Sequence, residues 1–223
     1  AYSFLRSNND LTRALKDEIP TSVMVIDVGC GTTDVAVLSL GNGQVSIQKT
    51  GGTFSGGADI TSALAKYLEK VDKRGQLQSS GYLAVAESLK KAMGRSKRYV
   101  VHEMFPEYNI EATVLIAKLF TGNGQTGVLD QYRKEFRRVV HETLEASRAD
   151  VKIILFVGGG SNFEPYRSTL DARGKTTYHM CHGIPLGAAA YISNAAPIVE
   201  YPVPRDIGIG TAGNKRSHVY DEK

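Results

Sequence analysis

The chain has 223 residues, 42% hydrophobic and 22% charged, which is enough to bury a sizeable core and is ordinary for a soluble globular protein. Lys and Arg number 27 against 23 Asp and Glu, a formal charge of +4. The basic runs "KRGQ", "KKAMGRSKR" and "RKEFRR" are short and scattered, so solvated helix faces are expected and nucleic-acid binding is not. Cys30 and Cys181 make no disulfide framework, no apolar run reaches membrane-spanning length and no secretory leader opens the chain, so a reducing, cytoplasmic setting with no membrane partner is expected.

The opening "AYSFLRSNND" lacks an initiator Met, and an interior cut is expected there. Thr21 to Val28 is β-branched and apolar and reads as a buried strand. Asp34 to Leu40 reads as a second strand. "GNG" at Gly41–Gly43 is a turn signal, and Gln44 to Thr50 alternates as a third strand. These make an antiparallel meander. "GGTFSGGAD" breaks the pattern, and Ile60, Leu64, Tyr67 and Leu68 then repeat at helical spacing. After the polar "DKRGQLQSSG", a second helix places Leu83, Ala86, Leu89 and Met93 on its apolar stripe. Arg98–Met104 and Tyr108–Val114 read as a hairpin around "FPEY", and "TGNGQTG" as a loop. A long helix follows, with Val128, Leu129, Tyr132, Phe136, Val139, Val140 and Leu144 on one side. Ile153–Val157 is a continuous apolar strand that runs into three glycines, and Pro165–Leu170 reads as helix. "TTYHM" reads as a short strand, "GIPLGAAAYISNAA" as a closely packed helix, and the proline-bearing tail as a linker entering a β element. The expected fold is α/β, with a mixed sheet flanked by helices.

The loop between the first two strands is the first binding candidate. Gly29 and Gly31 let backbone N–H groups approach an anion, and Thr32 and Thr33 add hydroxyls. Asp27 would repel a phosphate unless a cation sits between them, so it reads as a partner for Mg²⁺, through water. The alternative is a plain hairpin with polar turn residues. Gly56 and Gly57 stand at a helix start, where N–H groups and the dipole favour an anion; the alternative is a helix start with Asp59 in its first turn. "VGGGSN" follows a strand and precedes a helix, the layout used for nucleotides. Glu87, Lys90 and Lys91 share one helix face; Glu87 can accept from ribose hydroxyls and Lys91 can cover an adenine, or the three are an exposed ion-paired face. His179, Cys181 and His182 in "HMCH" are competent metal ligands at a spacing that does not match common zinc sites.

In this order, these stretches resemble the nucleotide-binding domain of the seventy-kilodalton heat-shock chaperones, within the actin-like ATPase (ribonuclease-H-like) superfamily. "DVGCGTTDVAVL" looks like that family's second phosphate motif, D-x-G-G-G-T-x-D. "GGTFSGGADI" resembles G-D-x-x-L-G-G-x-D-F, "ESLKKAMG" the adenosine helix E-x-x-K-R-x-L-S, and "ILFVGGGSNFEP" the motif V-L-V-G-G-S-x-R-x-P. "GIPLGAAAYISN" falls where the family reads A-V-A-x-G-A-A. "DIGIGTAG" is similar to the L-G-I-E-T-x-G-G that opens the family's peptide-binding domain.

The resemblance implies the second lobe of the ATPase, with ATP or ADP and Mg²⁺ as ligands and Asp27 holding the water shell of the metal. It implies that Gly29, Cys30, Gly31, Thr32 and Thr33 lie along the phosphates while Asp34 braces their loop. Gly56 and Gly57 would approach the outer phosphates. Glu87, Lys90 and Lys91 would bracket the adenosine from one side, with Gly159, Gly160, Ser161 and Phe163 on the other. The implied partners are the first lobe of the same protein, a peptide-binding domain in cis, co-chaperones and a nucleotide-exchange factor, in a stress-response role. The implied division is an opening helix and linker over 1–20, a core lobe over 21–55 and 123–196, an inserted helical and hairpin subdomain over 56–122, and a linker with a β element over 197–223. Cys30 stands where the family has glycine, Lys91 and Phe163 where it has arginines, and Gly94 where it has serine. The phosphate half is therefore better kept than the base half. A filament-forming actin-like ATPase and a non-hydrolysing scaffold of the same fold are the alternatives.

Overall fold

The computed structural model describes residues 13–14, 16–72, 79–93, 98–100, 113–115, 119, 127–167, 170, 174–180, 198–200, 208–209 and 217–218. Strands β1 (Thr21–Val28), β2 (Thr33–Gly41) and β3 (Gln44–Thr53) form the expected meander, both pairs antiparallel. Asn42 and Gly43 both take positive φ, 53° and 73°. That is the mirror-image turn whose twist matches two flanking strands, and Asn-Gly adopts it at least cost. Strand β3 runs on through Gly51 and Gly52, three residues past the boundary expected from sequence. Both positions are crowded: a Cβ at Gly51 would lie 2.1 Å from the Thr143 hydroxyl and one at Gly52 2.9 Å from Asp34 Oδ1.

Helix α1 (Gly57–Val71) and helix α2 (Ser79–Ala92) follow. A hairpin then pairs β4 (Arg98–Val100) with β5 (Thr113–Leu115); its expected turn lies outside the described residues. Helix α3 (Asp130–Ser147) leads into β6 (Val151–Val157), a 3₁₀ turn over Gly159–Asn162, the short α4 (Glu164–Arg167) and β7 (Thr176–Met180). Strand β8 (Ile198–Glu200) completes a mixed six-stranded sheet in the order β7-β6-β1-β2-β3-β8, and β9 (Gly208–Ile209) pairs separately with β10 (Ser217–His218). The Ala-rich stretch at 183–196 lies outside the described residues.

Period-two alternation decides the two faces of the sheet. Met24, Ile26 and Val28 of β1 join Val35 and Val37 of β2 under the helices, where Ile60, Leu64, Leu68, Leu89, Phe136 and Val140 meet them. Val23, Leu40, Val45 and Ile153 make a smaller cluster on the other face. The buried stripe of α2 runs Tyr82, Val85, Ala86, Leu89 and Met93, while Leu83 is 45% exposed. Leu83 thus leaves the stripe expected from sequence, because 82, 85, 86, 89 and 93 keep the three-and-four spacing that faces one side.

Candidate functional site

Strands β1 and β6 are parallel neighbours, with Asp27 opposite Val157. Both therefore end at the same edge of the sheet, and both run straight into glycine turns. Crevices of α/β sheets open at such carboxyl ends. The edge here borders an open cleft of about 910 Å³, lined by Gly29 and Cys30, Gly57 and Thr61, Gly159 and Gly160, with Glu87, Lys90 and Lys91 of α2. Glycine turns far apart in the chain thus meet in one place.

The first two turns are joined by backbone. The Gly57 N–H donates to the Gly29 carbonyl at 2.9 Å, and the Ala58 N–H to the Cys30 carbonyl at 2.7 Å. The Gly56 N–H is taken by Asp59 Oδ2 at 2.9 Å. The amides of the helix start, expected from sequence to face an anion, are thus occupied by two loop carbonyls and by the Asp59 carboxylate. What the second glycine pair supplies is close approach: a Cβ on Gly56 would come within 2.5 Å of the Cys30 carbonyl oxygen and 2.7 Å of the Thr32 nitrogen. Gly31 and Gly159 have nothing within 4 Å of a Cβ position, so their backbone is open.

The threonines divide. Thr32 Oγ1 donates to Asp34 Oδ2 at 2.8 Å, a bond that ties the end of the loop to the start of β2. Thr33 is 1% exposed and donates to the Ser55 carbonyl at 2.7 Å; it staples β2 to the turn before α1 and does not line the cleft. Ser161 is likewise 1% exposed, and the exposed Asn162 lines the cleft beside it. Phe163 borders the cleft, but it is 5% exposed and stands edge-on to Tyr166, with ring centroids 5.1 Å apart and planes at 89°. Tyr166 in turn stacks on Phe136 at 4.5 Å. The phenyl ring that sequence offered as a stacking surface is largely a core side chain.

Asp27 lies opposite Asp34 in the β1–β2 register. Its Oδ1 is buried and has no hydrogen-bond partner. Burial, and then the charge of Asp34, push the Asp27 carboxyl above its ordinary value. An orphaned carboxylate oxygen beside a second carboxylate is a place that a hard cation relieves. Among the described residues no three His, Cys, Asp or Glu side chains cluster for a metal. Asp27 and Asp34 therefore suit Mg²⁺, which is held by one or two carboxylates and keeps its waters, and they do not suit an all-protein cage.

On α2, Lys90 Nζ donates to the Gly57 carbonyl at 2.9 Å, to Thr61 Oγ1 at 2.8 Å and to Glu87 Oε2 at 2.7 Å. Thr61 Oγ1 donates to the same Glu87 oxygen at 2.6 Å. Lys91 reaches Glu87 Oε1 at 3.5 Å. Lys90 thus ties α2 to the first turn of α1, and Glu87, which lines the cleft, has Oε2 engaged by Lys90 and Thr61 and Oε1 near Lys91. Thr61 was legible as the residue four after Gly57, on the same helix face, but its hydroxyl carried no motif.

Burial pushes the Glu87 carboxyl up, yet hydrogen bonds from Lys90 and Thr61, with the charges of Lys90 and Lys91, outweigh it and hold the pKa below the usual value. A depressed carboxyl stabilises the fold above the unfolded-state pKa and loses that contribution as pH falls through the folded-state one. Glu87→Gln is accordingly expected to cost about 0.5–1 kcal/mol at neutral pH, after discounting for solvent screening. The deficit should close as pH drops below the ordinary value of 4.5. Urea unfolding of both proteins at pH 7 and at acid pH measures this, and a deficit independent of pH would assign the effect to shape.

The "HMCH" segment contributes no described site. His179 stacks on Phe156 at 5.2 Å, and Cys181 and His182 lie outside the described residues. Cys30 is exposed and forms no disulfide. Among the described residues no helix is long and apolar enough to cross a membrane.

A family model described as Hsp70 protein matches residues 11–161. A curated protein of Homo sapiens, "Putative heat shock 70 kDa protein 7", is 32% identical over 103 residues, a stretch covering 45% of this chain and 26% of that protein. The match therefore spans about a quarter of the relative's own length.

Proposed function

The chain belongs to the Hsp70 family, and we propose on that premise that it is the ATP-binding lobe of a heat-shock-type chaperone, one half of an ATPase cleft. The observation that carries this reading is the meeting of the Gly29–Cys30, Gly57 and Gly159–Gly160 turns in one cleft faced by Glu87 and Lys90.

The lobe binds and orients. The Gly29–Thr32 loop is closed on itself by the Gly29 N–H, which donates to the Thr32 carbonyl at 2.9 Å and so is not the anion donor expected from sequence, and it is fixed from behind by the α1 amides and from the side by Asp34, so its shape is set before an anion arrives. Preorganised donors cost no rearrangement when charge develops on a phosphoryl group. Glu87, held charged by Lys90 and Thr61, accepts from the sugar hydroxyls. Asp27 and Asp34 would hold the water shell of Mg²⁺, which neutralises phosphate charge when bound. In-line hydrolysis needs a nucleophile-positioning group, and the resemblance puts that group on the other lobe. Lobe closure then shifts the affinity of a peptide-binding domain joined through the tail.

Calorimetry tests the first step: ATP and ADP are expected to bind the chain with Mg²⁺ present. Steady-state turnover by the chain alone should stay at the no-protein background. Absence of binding at millimolar nucleotide would favour a scaffold of the same fold, and turnover well above background would show that the cleft needs no second wall.

A further inference from the structure

Lys90 lines the cleft, yet its ammonium is spent inside the protein. An ammonium has three N–H bonds and no acceptor. Here they go to the Gly57 carbonyl, to Thr61 Oγ1 and to Glu87 Oε2. Thr61 Oγ1 therefore accepts from Lys90 and has one hydrogen of its own to give. Two acceptors stand near it, the Gly57 carbonyl at 2.9 Å and Glu87 Oε2 at 2.6 Å. The carboxylate is charged and closer, and charge-assisted bonds are the stronger ones, so the hydrogen goes there. Lys90, Thr61 and Glu87 thus close a ring of hydrogen bonds, and water is largely kept from it: Thr61 is 8% exposed and the Lys90 side chain 17%. The other oxygen of Glu87 is held loosely. Oε1 stands 3.5 Å from Lys91 Nζ, on a lysine side chain that is 72% exposed, and that separation is longer than a good hydrogen bond. Holding Oε2 on two donors removes much of the rotamer freedom of Glu87 before a ligand arrives, and a ligand then does not bear that ordering cost.

We propose that Thr61 is a positioning residue for the sugar end of the cleft: its hydroxyl, together with Lys90, fixes Glu87 by Oε2 and leaves Oε1 to accept from the vicinal hydroxyls of a ribose. Thr61 and Lys90 do not themselves touch the nucleotide; they act through Glu87. The proposal rests on the nucleotide-binding reading. It adds a residue that no motif marked, and it moves Lys90 from the ligand contacts to the scaffold. The preference it predicts is for a ribonucleotide over the same nucleotide without its sugar hydroxyls.

The test titrates the full chain with Mg-ADP and with the magnesium complex of 2′,3′-dideoxy-ADP, which keeps the base and the phosphates and lacks the hydroxyls. Thr61→Val keeps the shape and removes the hydroxyl. It is expected to weaken ADP about tenfold and to leave dideoxy-ADP unchanged. Thr61→Ser, which puts the hydroxyl back, should return ADP to within about twofold of wild type. Thr61→Ala removes the same hydroxyl on a better helix former and carries the test if the valine chain does not fold. In a Glu87→Ala background, Thr61→Val should cost ADP nothing further, because the group it acts through is gone. Parallel loss of both ligands in Thr61→Val overturns the proposal, since Thr61 would then act on the fold or, through Gly57, on the phosphate loop. An unchanged ADP affinity, a serine that fails to restore it, or a further loss in the Glu87→Ala background overturns it as well. A wild-type chain that binds ADP and dideoxy-ADP equally overturns the roles of Glu87 and Thr61 at the sugar while nucleotide binding stands. One that binds neither ligand overturns the nucleotide reading itself.

Discussion

Gly158→Ala is expected to destabilise the chain by about 3 kcal/mol or more, whereas Gly159→Ala, one residue on, is expected to be nearly neutral. Gly158 has φ 81° and ψ 165°, a region that is essentially reserved for glycine because a Cβ there collides with its own backbone. The space around it is also full. A Cβ would lie 2.3 Å from Asp27 Oδ1 and 2.6 Å from the Val28 carbonyl oxygen. Neither can retreat cheaply: Val28 is the last residue of a central strand, paired on both sides, and Asp27 is half-buried beside it. Gly159 has no positive φ and meets nothing within 4 Å. Urea unfolding should therefore show a large fall in midpoint for the first variant and almost none for the second. Equal midpoints would mean that the end of β1 and the turn after β6 are not packed as described, and the cleft floor would have to be redrawn.

The contrast between neighbouring glycines shows what the sequence could and could not reveal. The meander was legible because β-branched runs and an Asn-Gly turn act over a few residues, and local chemistry decides them. The convergence of the glycine turns was legible only through their order along the chain, which matches one family's motifs. Which atom of each turn faces the cleft was not legible. Thr32 and Thr33 are adjacent polar residues on one loop, yet strand pleating sends Thr33 inward to Ser55 and leaves Thr32 to Asp34. Ser161 and Asn162 exchange roles for the same kind of reason, a 3₁₀ turn that buries one and exposes the other. Leu83 read as core because a single register shift on a helix moves a residue by about 100°, and the stripe through Tyr82 and Val85 fits equally well. The occupation of the α1 amides by loop carbonyls had no sequence signal, since it joins segments through backbone alone.

Asp27→Asn should change sign with conditions. Without ligand, the buried Asp27 carboxylate is held above its ordinary pKa by burial first and by Asp34 second. An acid whose pKa is raised on folding binds its proton more tightly in the folded state. Stability then falls as pH rises from the ordinary value of 3.8 through the folded-state pKa, and above that the penalty is complete. Removing the charge at neutral pH lifts the penalty, so Asp27→Asn should be the more stable protein in magnesium-free buffer, by up to about 1 kcal/mol once screening of a half-buried group is allowed for. With Mg-ADP the order should reverse. Losing a carboxylate that orients a metal's water shell costs roughly 10–100-fold in affinity, and ligand binding stabilises the folded state by mass action, about 2.7 kcal/mol at a hundredfold excess over Kd. Wild type gains that amount, whereas a variant weakened 10- to 100-fold gains only about 1.4 to 0.4 kcal/mol at the same ligand concentration. Thermal unfolding of both proteins with and without Mg-ADP measures the crossing. A variant that is the less stable protein in both buffers would make Asp27 a structural hydrogen-bonding group, and the pair of carboxylates across β1 and β2 would then have no cation to explain them.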